Sequence, residues 1–171
     1  NNPYQVEAGI DDSDEDIVAY LDSLAPGALD PETLMAFMET GPEMIRYFMD
    51  KTPVRFHAYA DFPDYQPYMP GAEADGGRSL DNEAFPFDTL GKWAARVNPT
   101  KMAYPVRGSL MEAINGTLDE ATLAEREAHD YRGLGQALVG ALFKAVLDRG
   151  IPVEFEKRAR KLIKEHGRVI G

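Results

Sequence analysis

Residues 62–91, FPDYQPYMPGAEADGGRSLDNEAFPFDTLG, constrain this chain more than any other stretch. Pro63, Pro67, Pro70 and Pro86 fix φ and remove amide donors, while Gly71, Gly76 and Gly77 open backbone regions that other residues resist. No helical or strand periodicity runs through the stretch. An irregular run of this length inside a compact domain is a functional or binding loop, or a linker. A linker would be polar and poor in aromatics, whereas this one carries Phe62, Tyr65, Tyr68, Phe85 and Phe87. The expectation is an ordered loop that packs against something. The residues alone leave open whether that is a ligand or a small core of the loop's own.

Charge narrows the partners. The 29 acids and 18 bases leave a net charge of −11, which argues against nucleic acid and anionic membrane. No apolar run approaches the ~20 residues of a membrane span, and no signal-peptide pattern opens the chain. Cysteine is absent, excluding disulfides, thiolate metal sites and a Cys nucleophile. A small-molecule partner and a cytoplasmic setting are the expectations. The sequence opens without an initiator Met and stops at Arg168-Val169-Ile170-Gly171, a β-branched run just past a turn. The expectation is a segment of a larger protein.

Helix starts are well marked. Ser13 with Asp16 forms a cap before Ile17, Val18, Tyr20, Leu21 and Leu24. The acids around it fail as a calcium loop: counted from Asp12, the sixth and twelfth places hold Ile17 and Ser23 instead of Gly and Glu. Asp30-Pro31 starts a second helix, and Thr40-Gly41-Pro42-Glu43 reads as a third start, before Met44, Ile45, Phe48 and Met49. Val54, Phe56 and Ala58 alternate with Arg55, His57 and Tyr59 as a short strand. Residues 93–109 are ambiguous. Thr117-Leu118-Asp119-Glu120 predicts a capping box for a solvated helix through Ala128. Residues 135–149 place Ala137, Leu138, Ala141, Leu142, Ala145 and Val146 on one stripe, ending at Gly150 with Pro152 beyond. Residues 152–156 alternate like a strand, and Leu162, Ile163, a Glu165-His166-Gly167 turn and Val169-Ile170 complete a hairpin. The sum is a helix-rich mixed α/β chain with a small sheet, resembling part of an α/β nucleotide-binding architecture.

Few motifs carry chemistry. Arg132-Gly133-Leu134-Gly135 is no dinucleotide fingerprint, because the third glycine of the pattern falls at Leu138 and no strand precedes it. There is no Walker sequence, serine elbow or zinc-protease helix. His57, His129 and His166 lack partners at ligand spacing, so no metal site is expected. Tyr65 and Tyr68 remain. A loop tyrosine is more often a packing residue, yet in a tuned pocket it serves as a general acid or base, or holds a carbonyl oxygen.

Two separated blocks carry a resemblance. One is Phe62-Pro63-Asp64-Tyr65-Gln66-Pro67 with Pro70-Gly71, Gly77-Arg78-Ser79, Phe87 and Leu90-Gly91. The other is Gly135-Gln136-Ala137-Leu138-Val139, Arg149-Gly150-Ile151-Pro152-Val153, Arg158-Ala159 and Gly167-Arg168-Val169-Ile170-Gly171. Together the chain resembles the middle of an FAD-dependent oxidoreductase of the fumarate reductase/succinate dehydrogenase flavoprotein superfamily, and most closely the 3-ketosteroid Δ1-dehydrogenase branch. The resemblance implies a Rossmann-like FAD domain built from discontinuous segments, a separate cap domain, and hydride transfer between a substrate C–C bond and flavin. Residues 1–131 would be a helical inserted region holding the substrate-site loop, and residues 132–171 part of the FAD-binding domain. The dinucleotide-binding unit and the cap would lie outside the chain, so FAD is not expected to bind the segment alone. Tyr65 is implied as the catalytic residue assisting proton abstraction, Phe62 as a wall of the steroid pocket with Tyr68 near it. The backbone at Ala159, beside Arg158, is implied to meet the adenine. Gln66 departs from the second aromatic that many relatives carry.

Two rivals accompany this expectation. A dicarboxylate substrate would need arginine clamps, and Arg78 is the arginine within residues 62–91 available for that. A non-enzymatic acidic helical interaction module would use Met38, Met44 and Met49 as a groove.

Overall fold

The computed structural model describes residues 3–98 and 106–171. After a short helix α1 (Pro3–Glu7), Ser13 caps α2 (Asp14–Leu24), its hydroxyl accepting from the Asp16 amide at 3.0 Å. Asp14, Glu15 and Asp16 fill the first turn, where the helix dipole favours them. Asp30 caps α3 (Pro31–Lys51) by accepting from the Thr33 amide at 2.9 Å, with Pro31 at the first helical position. Both starts are as the sequence implied. The third start is corrected: α3 runs unbroken through Thr40-Gly41-Pro42-Glu43. Pro42 removes one donor, toward the Met38 carbonyl. The flanking helical bonds outlast that loss, and the Thr40 hydroxyl donates to the Ala36 carbonyl at 2.5 Å.

Strand β1 (Phe56–Ala60) pairs antiparallel with β2 (Gly76–Asn82). Phe56 faces Asn82, His57 faces Asp81 and Ala58 faces Leu80, before a bulge brings Ala60 opposite Gly76. Here residues 62–91 are corrected as well. They hold β2, then β3 (Phe85–Pro86) and the start of a 3₁₀ segment (Phe87–Arg96), so residues 62–75 and the two-residue link 83–84 stay irregular. The strand escapes notice in sequence because Leu80 is its one apolar side chain among two glycines and four polar residues, and only β1 gives it a ladder.

Helices α4 (Leu110–Asn115) and α5 (Glu120–Ala128) follow, then β4 (Tyr131–Arg132), which pairs with β3. The capping box lies on α4, between Ser109 and Glu112; Asp119, not Thr117, caps α5 by accepting from the Thr122 amide at 2.7 Å. Helix α6 (Leu134–Asp148) ends as its glycine implied. Gly150 takes φ 64°, its amide donates to Leu147 O at 2.9 Å, and the Ile151 amide reaches Val146 O at 3.2 Å.

The core joins Val54, Phe85, Phe87 and Leu90 to Ala137 and Ala141 of α6, so residues 132–148 bed directly on the first part of the chain. Small residues on α6 allow this approach. A Cβ at Gly140 would stand 2.6 Å from the Phe87 ring, which is fully buried. Residues 152–156 are not a strand, contrary to expectation: among the described residues no strand lies beside them to complete a ladder. The hairpin beyond is as expected, β5 (Lys164–Glu165) against β6 (Arg168–Val169), with His166 at φ 49° and Gly167 at φ 79° in its two-residue turn. The whole is a mixed, helix-rich α/β chain with three two-stranded antiparallel sheets among the described residues.

Candidate functional site

Residues 61–75 leave β1 and return to β2, and three devices give them one shape. The Asp64 amide donates to the Glu73 carbonyl and the Glu73 amide donates to the Asp64 carboxylate, both at 2.9 Å, closing the loop's neck. The Tyr20 hydroxyl of α2 accepts from the Gln66 amide at 3.2 Å. Gly71 lies against α2 so closely that a Cβ there would meet the Asp16 carbonyl oxygen at 2.2 Å, and its φ of 70° also favours glycine.

Beneath the loop, Arg78 binds two carboxylates. Its Nε and Nη2 donate to Asp12 at 2.8 and 2.7 Å, and its Nη1 donates to Asp64 at 2.7 Å. The Asp12 side chain is 1% exposed and that of Arg78 14%, so the pair is shielded from solvent. Burial pushes the Asp12 carboxyl up, but the Arg78 bond and charge overcome it and hold it below the usual range. The same bond to Asp12 raises the Arg78 guanidinium. Arg78 also lies 5.6 Å over the Tyr20 ring. Its donors are thus turned inward, fastening the loop to the segment before α2.

The aromatics divide. Phe85 and Phe87 are core. Phe62 is half-buried, its ring 4.6 Å from Tyr59 and 6.1 Å edge-on from Tyr65. Tyr65 and Tyr68 stand outward on the rim, 86% and 97% exposed. The loop therefore uses some of its rings for an interior and presents others: Phe62 and Tyr65 together, Tyr68 further out, Arg78 underneath.

Two features escaped the sequence reading. Asp12 sits in an acidic run and reads as one more helix-start acid; nothing local says that it pairs with a residue 66 positions away. Tyr59 alternates to the polar side of β1 in the sequence pattern, yet it is 3% exposed, and its hydroxyl has no hydrogen-bond partner among the described residues. Burial raises that phenol, with Asp81 and Tyr65 adding to the effect.

At the other end, the residues expected at a cofactor lie on the exposed segment beyond α6. Arg158 and Ala159 are both exposed. Among the described residues, no main-chain group of residues 152–162 has a hydrogen-bond partner. Five of residues 157–164 are Lys or Arg in a chain of net charge −11, and of these only Lys157 has an ion pair among the described residues, 4.0 Å from Glu154. Unengaged amides and carbonyls suit the edge of an adenine, and unpaired cations suit a diphosphate. This donor set fits one wall of a dinucleotide site. Gly133 and Gly135, by contrast, only frame the start of α6; Gly133 presses on the Gly108 carbonyl and is its cap position. No group of His, Asp or Glu among the described residues is placed to hold a metal, and no described helix is long and apolar enough to cross a membrane.

Comparison with known proteins agrees with a flavoprotein architecture. The chain superposes on a crystal structure of 3-ketosteroid Δ1-dehydrogenase from Sterolibacterium denitrificans in complex with 1,4-androstadiene-3,17-dione, with a TM-score of 0.69 at 24% identity, over 89% of this chain and 30% of that one. The family described as FAD binding domain matches residues 1–171, and the chain belongs to it. It is 26% identical, over its whole length, to a 3-oxosteroid 1-dehydrogenase of Mycobacterium tuberculosis. It is 31% identical over 99% of its length to a 4-oxocyclohexanecarboxylate 2-dehydrogenase of Sinomonas cyclohexanicum. The chain spans about a third of these curated relatives, 33% and 31% of their lengths.

Proposed function

We propose that the protein containing this chain is an FAD-dependent oxidoreductase that dehydrogenates, or reduces, a C–C bond beside a ring ketone, in the manner of a 3-ketosteroid 1-dehydrogenase. The observation that carries this reading is the division of labour around residues 61–75. Phe62 and Tyr65 present an apolar wall with a hydroxyl, while Arg78 is occupied by Asp12 and Asp64. A dicarboxylate needs a free guanidinium fork; a ring ketone needs a greasy surface and a hydrogen-bond donor. The two relatives quoted above are named for a 3-oxosteroid and a 4-oxocyclohexanecarboxylate, both cyclic ketones.

In this reading the substrate gives up a proton from one carbon and a hydride from its neighbour. Bound FAD would supply the hydride acceptor. Phe62 packs against the ring system, Tyr68 borders its entrance, and the Tyr65 hydroxyl assists removal of the proton, a contribution worth about 10²–10⁴ in rate for a positioned acid–base group. Arg158 and the Ala159 backbone lie on the adenine side. Residues 1–131 then serve the substrate and residues 132–171 the cofactor, on one shared core. The test is purification of the complete gene product, a flavin absorbance spectrum, and dye reduction with a 3-ketosteroid, 4-oxocyclohexanecarboxylate and succinate. Flavin with turnover on a cyclic ketone is expected. A preparation that cannot be loaded with FAD, or one that oxidises succinate alone, overturns the reading.

A further inference from the structure

We propose that Phe155 is a positioning residue for the adenine end of the cofactor: held between the Trp93 ring and the Arg96 guanidinium, it fixes the path of residues 156–162, whose free main-chain groups and cations face the dinucleotide. The inference rests on the FAD reading above and adds a residue to it.

The need for such an anchor follows from what residues 151–162 lack. Helix α6 is closed off at Gly150, and β5 begins only at Lys164. Between them no ladder or helix fixes the backbone. Holding each unrestrained residue in one shape costs conformational entropy, so a ligand meeting this stretch would bind weakly unless something else had ordered it.

Phe155 is placed to do that. Its ring stacks on Trp93 at 5.8 Å between centroids and an interplanar angle of 22°, and meets Phe143 edge-on at 6.4 Å. The Arg96 guanidinium lies 4.1 Å over it. Trp93 and Phe143 also touch each other edge-on at 5.9 Å, and both pack on the core cluster. One side chain therefore ties the segment to the 3₁₀ segment and to α6 at once. Immediately after it, Glu156 takes φ 62°, a reversal that turns the chain toward Arg158 and Ala159. The remaining ion pair of the stretch, Lys157 with Glu154, lies within it and anchors it to nothing.

Trp93 is the sole tryptophan of these 171 residues, so the part of the complete protein's emission that is lost in Trp93→Phe reads the latch. The experiment strips flavin from the complete gene product, then measures dissociation constants for FAD, ADP and riboflavin alongside Trp93 emission and the melting temperature. Phe155→Leu keeps the apolar bulk but loses the stacking and the cation contact. It should weaken FAD and ADP by about tenfold, the scale of the combined aromatic and cation–π contacts, leave riboflavin unchanged, and shift Trp93 emission to the red. Phe155→Tyr keeps the ring and should restore both ligands to within about twofold of the parent. Should Phe155→Leu unfold, Arg96→Gln carries the test from the surface, with ADP weakened by about two- to fivefold. FAD and ADP affinities within twofold of the parent in Phe155→Leu, or in Arg96→Gln if that variant is the one that folds, overturn the inference and leave the flavoenzyme reading intact. So does equal loss of riboflavin. A parent protein that binds no FAD sinks both.

Discussion

Replacing Arg78 with Met separates a structural clamp from a substrate clamp. The side chain is nearly shielded and serves two carboxylates, one of them, Asp12, almost fully buried. Removing the cation leaves those charges uncompensated, which costs about 3–5 kcal/mol where partners are buried. For a chain of this length that lowers Tm by roughly 6–20 °C. Pairing Arg78→Met with Asp12→Asn should recover part of the loss, since the buried charge disappears with its partner. Acid gives a second signature. In the parent the Asp12 carboxyl is held below its ordinary value of 3.8, so its contribution is complete above that pH and fades as pH falls through the lower folded value. In Arg78→Met burial acts without its main counterweight and raises the folded value. The neutral form is then favoured, and the deficit relative to the parent narrows as pH falls from 7 toward 4. Urea melts across that range, with limited proteolysis at residues 61–75, read both effects. An Arg78→Met protein as stable as its parent, but unable to bind substrate, refutes the clamp and makes Arg78 a substrate ligand.

Other expectations rest on single contacts. Tyr65→Phe should lower kcat by about 10²–10⁴ while flavin absorbance is unchanged; full turnover would return Tyr65 to a surface role. Gly140→Ala places a methyl 2.6 Å from the Phe87 ring and should destabilise by about 1–3 kcal/mol in urea unfolding; an unperturbed midpoint would mean that α6 moves freely over β3. Tyr59→Phe removes a buried hydroxyl without a partner among the described residues, so stability should stay level or rise by about 1 kcal/mol. A clear loss of stability would reveal a partner for that hydroxyl.

Which of these features were visible in the sequence depends on how far apart their causes lie. The caps at Ser13 and Asp30 and the glycine stop at Gly150 act within a few residues, and each was readable. The 135–149 stripe was readable for the same reason. Pro42 misleads because a start signal does not itself say whether a helix already runs into it. Strand β2 was invisible because its ladder comes from β1, and residues 152–156 looked like a strand because alternation alone does not supply a neighbour.

The candidate site shows the same rule from its other side. Its rigidity depends on Arg78 meeting Asp12, 66 residues earlier, and on Gly71 meeting α2, neither of which has a local signature. The side chains proposed above to meet a substrate, however, are rings that the fold does not consume. Phe85 and Phe87 are spent on the core, where their replacement would be a matter of packing. Tyr65 and Tyr68 add little to the chain's own interior, yet they are mounted on a loop pinned at its neck, its floor and its underside. Two large rings left in solvent on a loop so firmly fastened are what the substrate role proposed for Tyr65 and Tyr68 requires, because a group that meets a ligand must be both ordered and unspent on the core.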